Sequence, residues 1–203
     1  EKSEKELREV LEEIGADFYE AEGEAAFYGP KLDVQVKSAM GHDVTLSTVQ
    51  LDYQLPERFE LTYIASDGSK ARPVVIHRAI LGSLDRFIAF LLEETKGNLP
   101  LWLSPIKVAV IPVSKEHQGD YAKKVYDQLQ EEGIAAILDD RNEKLGYRVR
   151  EAQTKKINYI VILGAKEQEA STISFRLHGE KETTTVTMED FMSRIKKEIE
   201  EKK

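Results

Sequence analysis

The sequence predicts two units of different class, an α+β unit built on an antiparallel sheet and then an α/β unit built on a mostly parallel sheet. Three observations carry this reading. From Leu32 the chain alternates, with Leu32, Val34 and Val36 on one face and Asp33, Gln35 and Lys37 on the other, the rhythm of a half-buried strand. Beyond Pro105, short apolar runs alternate with helical patterns, as βαβ units do. Between the two, Gly97, Asn98, Pro100, Ser104 and Pro105 crowd around Leu101-Trp102-Leu103, and these breakers place a domain boundary between residues 103 and 104.

Leu7, Val10, Leu11 and Ile14 stand at helical spacing, Ser3 and Glu6 form a capping box, and Gly15 can end the helix. The alternating strand from Leu32 turns near Gly41 into a second, Val44 to Tyr53, as an antiparallel pair. Phe59 to Ala65 reads as a third strand, Asp67-Gly68 as a turn, and Arg72 to Ile76 as a fourth strand. In the second unit Lys107 to Val113, Ile134 to Leu138 and Tyr159 to Leu163 read as strands, with helices near 118–131 and 146–156. Thr172 to Leu177 and Thr183 to Val186 follow, and a charged helix from about Glu189 to Lys202 closes the chain.

The 203 residues, 41% of them hydrophobic, suffice for one good core or two small ones. No apolar stretch reaches the roughly 18 residues of a membrane span, and Glu1-Lys2-Ser3-Glu4-Lys5 is no secretory signal. The absence of Cys excludes disulfides and thiolate metal sites within this chain and suits a reducing cytoplasm. A net charge of -8 argues against indiscriminate nucleic-acid binding but leaves room for a local basic site.

The sharpest pattern is Val75-Ile76-His77-Arg78-Ala79-Ile80-Leu81-Gly82-Ser83-Leu84-Asp85-Arg86. A strand is expected to end near Ile76, and a helix to carry Ile80, Leu81, Leu84, Phe87, Ile88 and Leu91 on its buried side. Gly82 and Ser83 keep the other side small enough for a flat ligand to lie near the backbone. Arg86, about one turn on, offers a fixed fork of donors to a triphosphate. An ordinary amphipathic helix with an Arg on its rim has the same pattern. On Thr45 to Tyr53, side chains 46, 48, 50 and 52 share a face. Thr48 and Gln50 there suit a small polar amino acid or an adenylate, or else a wet sheet edge. His77 alone reads as a hydrogen-bonded structural residue, because zinc needs three or four ligands, and His42, His117 and His178 read as surface residues.

From Arg141 to Lys156 six Lys or Arg residues (141, 144, 148, 150, 155, 156) face only Glu143 and Glu151, a local surplus of four positive charges. Such a cluster at a loop and helix start attracts phosphates, although a solvated loop has the same composition. No Ser/His/Asp set, phosphate-cradling glycine loop or carboxylate pair is present.

Together these segments carry a family resemblance. Residues 75–86 resemble the third signature motif of the class II aminoacyl-tRNA synthetases in its threonyl form. Phe27-Tyr28-Gly29-Pro30-Lys31-Leu32-Asp33, the strand Thr45 to Tyr53 and Leu55-Pro56-Glu57-Arg58-Phe59 after it match the threonyl-tRNA synthetases as well. Asp139-Asp140-Arg141-Asn142-Glu143-Lys144-Leu145-Gly146 and its continuation to Ala152 are similar to their anticodon-binding domain. The resemblance spans essentially the whole chain. It implies an antiparallel-sheet remnant of a class II catalytic domain over 1–103 and an α/β anticodon-binding domain over 104–203.

The activity so implied is that of a threonine–tRNA ligase, which activates threonine with ATP and Mg2+ and transfers it to tRNA(Thr). Carried over residue by residue, Arg86 clamps the triphosphate, and Thr48 and Gln50 line the adenylate site with Tyr28, Lys31 and Ser83. His77 ligates a zinc ion that reads the threonine hydroxyl and amino group. Asn142, Lys144, Arg150, Glu167 and Arg176 bind the anticodon stem-loop. The family's other zinc ligands, a Cys and a His, and its first two signature motifs are not recognisable here. The chain is therefore expected to be the C-terminal portion of a cytoplasmic enzyme that is homodimeric as a whole, and to be inactive alone. A non-catalytic tRNA- or RNA-binding module and an amino-acid-sensing regulator derived from a synthetase are the alternatives.

Overall fold

The computed structural model describes residues 2–203, which divide into two compact units, the first ending at Glu94 and the second Thr95–Lys203. In the first unit, helix α1 (Lys2–Glu13) is anchored by Leu11, and Gly15 at φ +65° ends it. Ser3 lies inside this helix rather than at its cap, and Glu6 accepts a hydrogen bond from the Tyr53 hydroxyl at 3.2 Å. Strands β1 (Lys31–Lys37) and β2 (Asp43–Asp52) pair antiparallel as the alternation requires, around a turn at Gly41. Helix α2 (Gln54–Arg58) and a small hairpin, β3 (Tyr63–Ile64) and β4 (Lys70–Ala71), then lead to β5 (Val75–Ala79), which pairs with β2.

Three expectations are corrected here. The strand read from Phe59 to Ala65 contracts to Tyr63–Ile64: the Asp52 carboxylate accepts the Gln54 and Leu55 amides at 3.0 and 2.9 Å and starts α2, and the amides of Phe59, Glu60 and Leu61 close that helix onto Leu55, Glu57 and Pro56. The strand read from Arg72 to Ile76 runs later, as Val75–Ala79, so His77 sits inside a strand. Helix α3 (Leu84–Glu94) begins only after Gly82, whose φ of +59° suits glycine, and none of its residues is buried. Ile80, Leu84 and Ile88 are 66%, 64% and 44% exposed, so the described residues leave the expected inner side uncovered.

The second unit has a five-stranded sheet, β6 (Val108–Pro112), β7 (Ala136–Leu138), β8 (Tyr159–Leu163), β9 (Thr172–Leu177) and β10 (Thr184–Thr187), in the order β10-β9-β8-β6-β7. β6 is parallel to both neighbours, whereas β8, β9 and β10 pair antiparallel, so the sheet is mixed. Helices α4 (Lys115–Glu131) and α5 (Leu145–Thr154) make the parallel crossovers. A polar helix α6 (Ala165–Ala170), absent from the sequence reading, links β8 to β9 and has no buried residue to give it an apolar stripe. Helix α7 (Met188–Glu200) starts at Thr187, whose hydroxyl accepts the Asp190 amide at 3.1 Å.

All five residues of β6 are buried. On one face Val108 and Val110 pack with Leu129, Phe175 and Phe191, and on the other Ala109 and Ile111 pack with Ala152, Ile157 and Ile160. Leu101 joins the first of these clusters, so the segment after Glu94 packs with the second unit and the compact division precedes residue 103. Tyr159 ties the sheet to α7: its buried hydroxyl bonds Glu198 at 2.5 Å and accepts from Arg194 at 3.0 Å, and burial beside Glu198 pushes it up to about 12. Among the described residues no helix is long and apolar enough to cross a membrane.

These burial differences set the energetic weight of each side chain. In urea unfolding, Phe191→Ala is expected to cost about 3–5 kcal/mol through transfer and cavity terms. Leu84→Ala, on the uncovered helix, is expected to stay within about 0.5 kcal/mol of the parent.

Candidate functional site

In the first unit the strand register gathers most of the residues singled out for an adenylate. Lys31 opposes Gln50 and Gln50 opposes His77, so the three share one row and one face, and the next row joins Asp33, Thr48 and Ala79. The Tyr28 hydroxyl donates to Gln50 Oε1, and the Tyr28 and His77 rings lie 5.5 Å apart. Tyr28, Lys31, Thr48, Gln50 and His77 thus come together on β1, β2, β5 and the approach to β1. The Lys31 ammonium donates to Asp33 Oδ2 at 2.6 Å, and this bond raises the lysine above its ordinary value, so it is charged at neutral pH. Burial alone would push the Asp33 carboxyl up, but the bond from the Lys31 ammonium helps to hold it below its ordinary value.

Ser83 and Arg86 stand apart from that row, at the start of α3. The Ser83 hydroxyl accepts the Arg86 amide at 3.4 Å, a long cap, and the Arg86 side chain is exposed with no ion pair among the described residues. A Cβ on Gly82 would lie 3.3 Å from the Leu46 carbonyl oxygen, so glycine lets this turn pass close beside β2.

Under His77 lies a group that the sequence reading left unused. Asp52 has no exposed surface and accepts from His77 Nε2 at 2.8 Å as well as from the two α2 amides. Burial works against this carboxylate, but the three donors outweigh it and hold Asp52 below its ordinary value. The alternation that put 48, 50 and 52 on one face was the available signal. A zinc ion is not accommodated by these residues alone: among the described residues no three His, Cys, Asp or Glu groups converge, and one nitrogen of His77 already serves Asp52.

In the second unit, Asn142 and Lys144 lie exposed on the loop between β7 and α5, and Arg150 projects from α5. The six cations of this region do not act as one patch. Arg141 forks onto Asp139 at 2.8 and 2.7 Å and reaches Glu151 at 2.8 Å, and Lys155 also pairs with Glu151, at 2.7 Å. Arg148 is only 2% exposed, which leaves Lys144, Arg150 and Lys156 as exposed cations without an ion pair among the described residues. Leu145, Arg148, Val149 and Ala152 follow the i, i+3, i+4, i+7 spacing of an inward stripe, a signal that could have marked Arg148 as internal.

Glu167 and Arg176 lie apart from that loop. Glu167 Oε2 accepts the Gly164 amide at 2.9 Å and Oε1 accepts the Ser174 hydroxyl at 2.8 Å, so both oxygens serve the local fold. Arg176 lies within β9 opposite Ile160 rather than at a strand end, and its Nε is buried without a partner. Three strand spacings, roughly 14 Å, separate β9 from β7. The five residues therefore do not form one cluster: Asn142, Lys144 and Arg150 lie on the β7–α5 loop and α5, Glu167 just past the end of β8, and Arg176 on β9 opposite Ile160.

The fork from Arg141 holds the Asp139 carboxyl below its ordinary value of 3.8. A lowered folded value stabilises the fold above the unfolded value and loses that contribution as pH falls through the folded one. Asp139→Asn is therefore expected to lower the urea midpoint at pH 7, and the difference from the parent is expected to shrink as the pH falls below the ordinary value of 3.8 and through the lower folded one.

Comparison with known proteins places these groups in context. Residues 1–95 match the tRNA synthetase class II core domain (G, H, P, S and T), and residues 107–198 match the anticodon binding domain family. The threonine–tRNA ligase of Oceanobacillus iheyensis is 51% identical over 203 residues, covering all of this chain and 31% of its own length. That of Geobacillus kaustophilus is 53% identical over 203 residues, again with 31% of its own length covered. The chain thus spans under a third of these curated relatives. The crystal structure of the RNA binding domain of threonyl-tRNA synthetase from Cryptosporidium parvum Iowa II superposes with a TM-score of 0.89 at 34% identity, over 97% of this chain and 50% of that one. With a core-domain match, an anticodon-domain match and homology along its whole length, the chain belongs to the threonyl-tRNA synthetases.

Proposed function

We propose that the second unit recognises the anticodon stem-loop of tRNA(Thr), and that the first unit supplies one wall of the threonine adenylation site of a threonine–tRNA ligase. The carrying observation is that Asn142 and Lys144 on the β7–α5 loop and Arg150 on α5 lie exposed, free of ion pairs among the described residues, within a domain matching the anticodon binding family. Beyond the carboxyl ends of β6 and β7 an open sheet has room for a ligand. Asn142 can bond the Watson–Crick edge of an unstacked base while Lys144 and Arg150 neutralise phosphates. Tyr147, 55% exposed between these two cations in sequence, offers a flat apolar face to the same bases.

In the first unit, Tyr28, Lys31, Thr48 and Gln50 would hold the adenylate against the sheet. Arg86, with its unpaired fork, would meet the triphosphate of ATP and its Mg2+. His77 would contribute one ligand toward zinc, fixed by Asp52, and the remaining ligands would have to come from outside the described residues. The uncovered side of α3 and this incomplete donor set favour a second reading for the chain by itself, an RNA-binding module without catalysis. Threonine-dependent exchange of pyrophosphate into ATP separates the two, being present for the ligase and absent for the module. Ligand-induced stabilisation by threonine without RNA binding would instead mark a regulator.

The test is a titration of the chain with threonine tRNA and with an anticodon-substituted copy, both at one salt concentration. Weaker binding of the substituted copy by about 1–3 kcal/mol per altered base is expected, taking the scale of DNA base mismatches. Equal binding, or none, sinks the anticodon reading. Arg150→Ala is expected to weaken both RNAs and, where the contact is to phosphate, to reduce the slope of log K against log salt by about 1.

A further inference from the structure

Arg148 holds the loop that displays Asn142 and Lys144. Its guanidinium donates to three main-chain carbonyls, one after β6 and two in the β7–α5 loop: NH2 to Val113 at 3.3 Å, NH1 to Asp139 at 2.8 Å and Nε to Glu143 at 3.2 Å. Val113 follows the carboxyl end of β6, Asp139 follows that of β7, and Glu143 lies next to both Asn142 and Lys144. The side chain is 2% exposed and makes no direct bond to a carboxylate, so its donors are spent on backbone. A buried guanidinium is costly, and an apolar residue would fill the same inward position of α5. What the arginine adds is a rigid planar fork that fixes the distances among the oxygens it holds.

Two of those oxygens, on Asp139 and Glu143, bracket the loop from below. Arg141 closes the same span from above, with its side chain forked onto Asp139 and its carbonyl accepting the Glu143 amide at 2.8 Å. The chain between the brackets has little freedom left, and Asn142 lies inside it. From this geometry we infer that Arg148 is a positioning residue of the RNA site. It touches no nucleotide but sets the loop shape in which Asn142 meets the bases beside the phosphate contact of Lys144, and so governs discrimination between anticodons. The inference rests on the anticodon reading given above and adds a residue that acts from beneath the site.

The test uses the full chain with Arg148→Met, Arg148→Lys and a separate variant with one Gly inserted between Asn142 and Glu143. The insertion loosens the bracketed span without touching the buried arginine, and a surface loop of this kind tolerates it. Each folded variant is titrated with threonine tRNA and its anticodon-substituted copy over a range of salt. Arg148→Met and the insertion are each expected to reduce the affinity ratio between the two RNAs by about tenfold, the scale of one lost base contact. The salt slope should stay at the parent value, because Lys144 and Arg150 keep their charges. Arg148→Lys, which restores donors without the fork, should recover part of the ratio. A folded Arg148→Met with the parent ratio overturns the inference, and should that variant not fold, an insertion variant with the parent ratio overturns it equally. A parent chain that binds both RNAs alike removes the anticodon reading and this inference together.

Discussion

The second unit depends on one strand being buried on both faces. β6 has an α4 and α7 layer on one side and an α5 layer on the other, and every residue from Val108 to Pro112 is buried. A strand so enclosed cannot present polar side chains from its middle without leaving them unsatisfied. Chemistry is thereby confined to the carboxyl ends, where the parallel strands release into loops before each helix. The β7–α5 loop emerges there, and the guanidinium of Arg148 closes the gap beneath it by supplying donors to carbonyls that no strand partner reaches. The apolar core and the polar rim are one arrangement, since burying the strand is what leaves those terminal carbonyls in need of a donor.

The first unit is governed by the opposite condition. Its three-stranded sheet is covered so little that Leu11 and Pro56 are its only apolar residues buried among those described, and its polar row of Lys31, Gln50 and His77 lies on a half-buried face. What gives the row a defined geometry is hydrogen bonding rather than packing. Asp52, wholly buried, receives His77 from β5 and the first amides of α2. One carboxylate therefore orients the imidazole and turns the chain out of β2. A buried carboxylate so fully supplied with donors remains ionised, which explains why its value is lowered despite burial.

Periodicity was a reliable guide where one face alone decided a residue's environment. The face shared by 48, 50 and 52 is found in the register of β2 with β1 and β5, whereas the alternation from Leu32 to Lys37 is broken by a register shift between Val34 and Gln35 that leaves Val34 exposed. The apolar runs at β6, β7 and β8 stand within a residue or two of their expected positions. It misled where local hydrogen bonding overrode propensity, as at Phe59 to Leu61, whose amides bond back to carbonyls of Leu55, Pro56 and Glu57 at the end of α2 instead of joining a strand. It also misled at the start of α3, where Gly82 delays the helix. α6 escaped notice because a short polar helix held by Glu167 carries no periodic signal.

By itself the sequence determined the two unit classes, the order of nearly all strands and helices, the family and the neighbourhood of the candidate residues. These follow from side-chain periodicity and from motifs that lie along the chain. Only the tertiary structure decided which charges are available. Arg141, Arg148 and Lys155 look alike in the sequence to Lys144 and Arg150, yet the first three are consumed by Asp139, Glu151 and backbone carbonyls, and the last two remain open to solvent. The reason is physical: a side chain's charge is set by its composition, but its partners are set by which distant segments the fold brings within hydrogen-bonding reach.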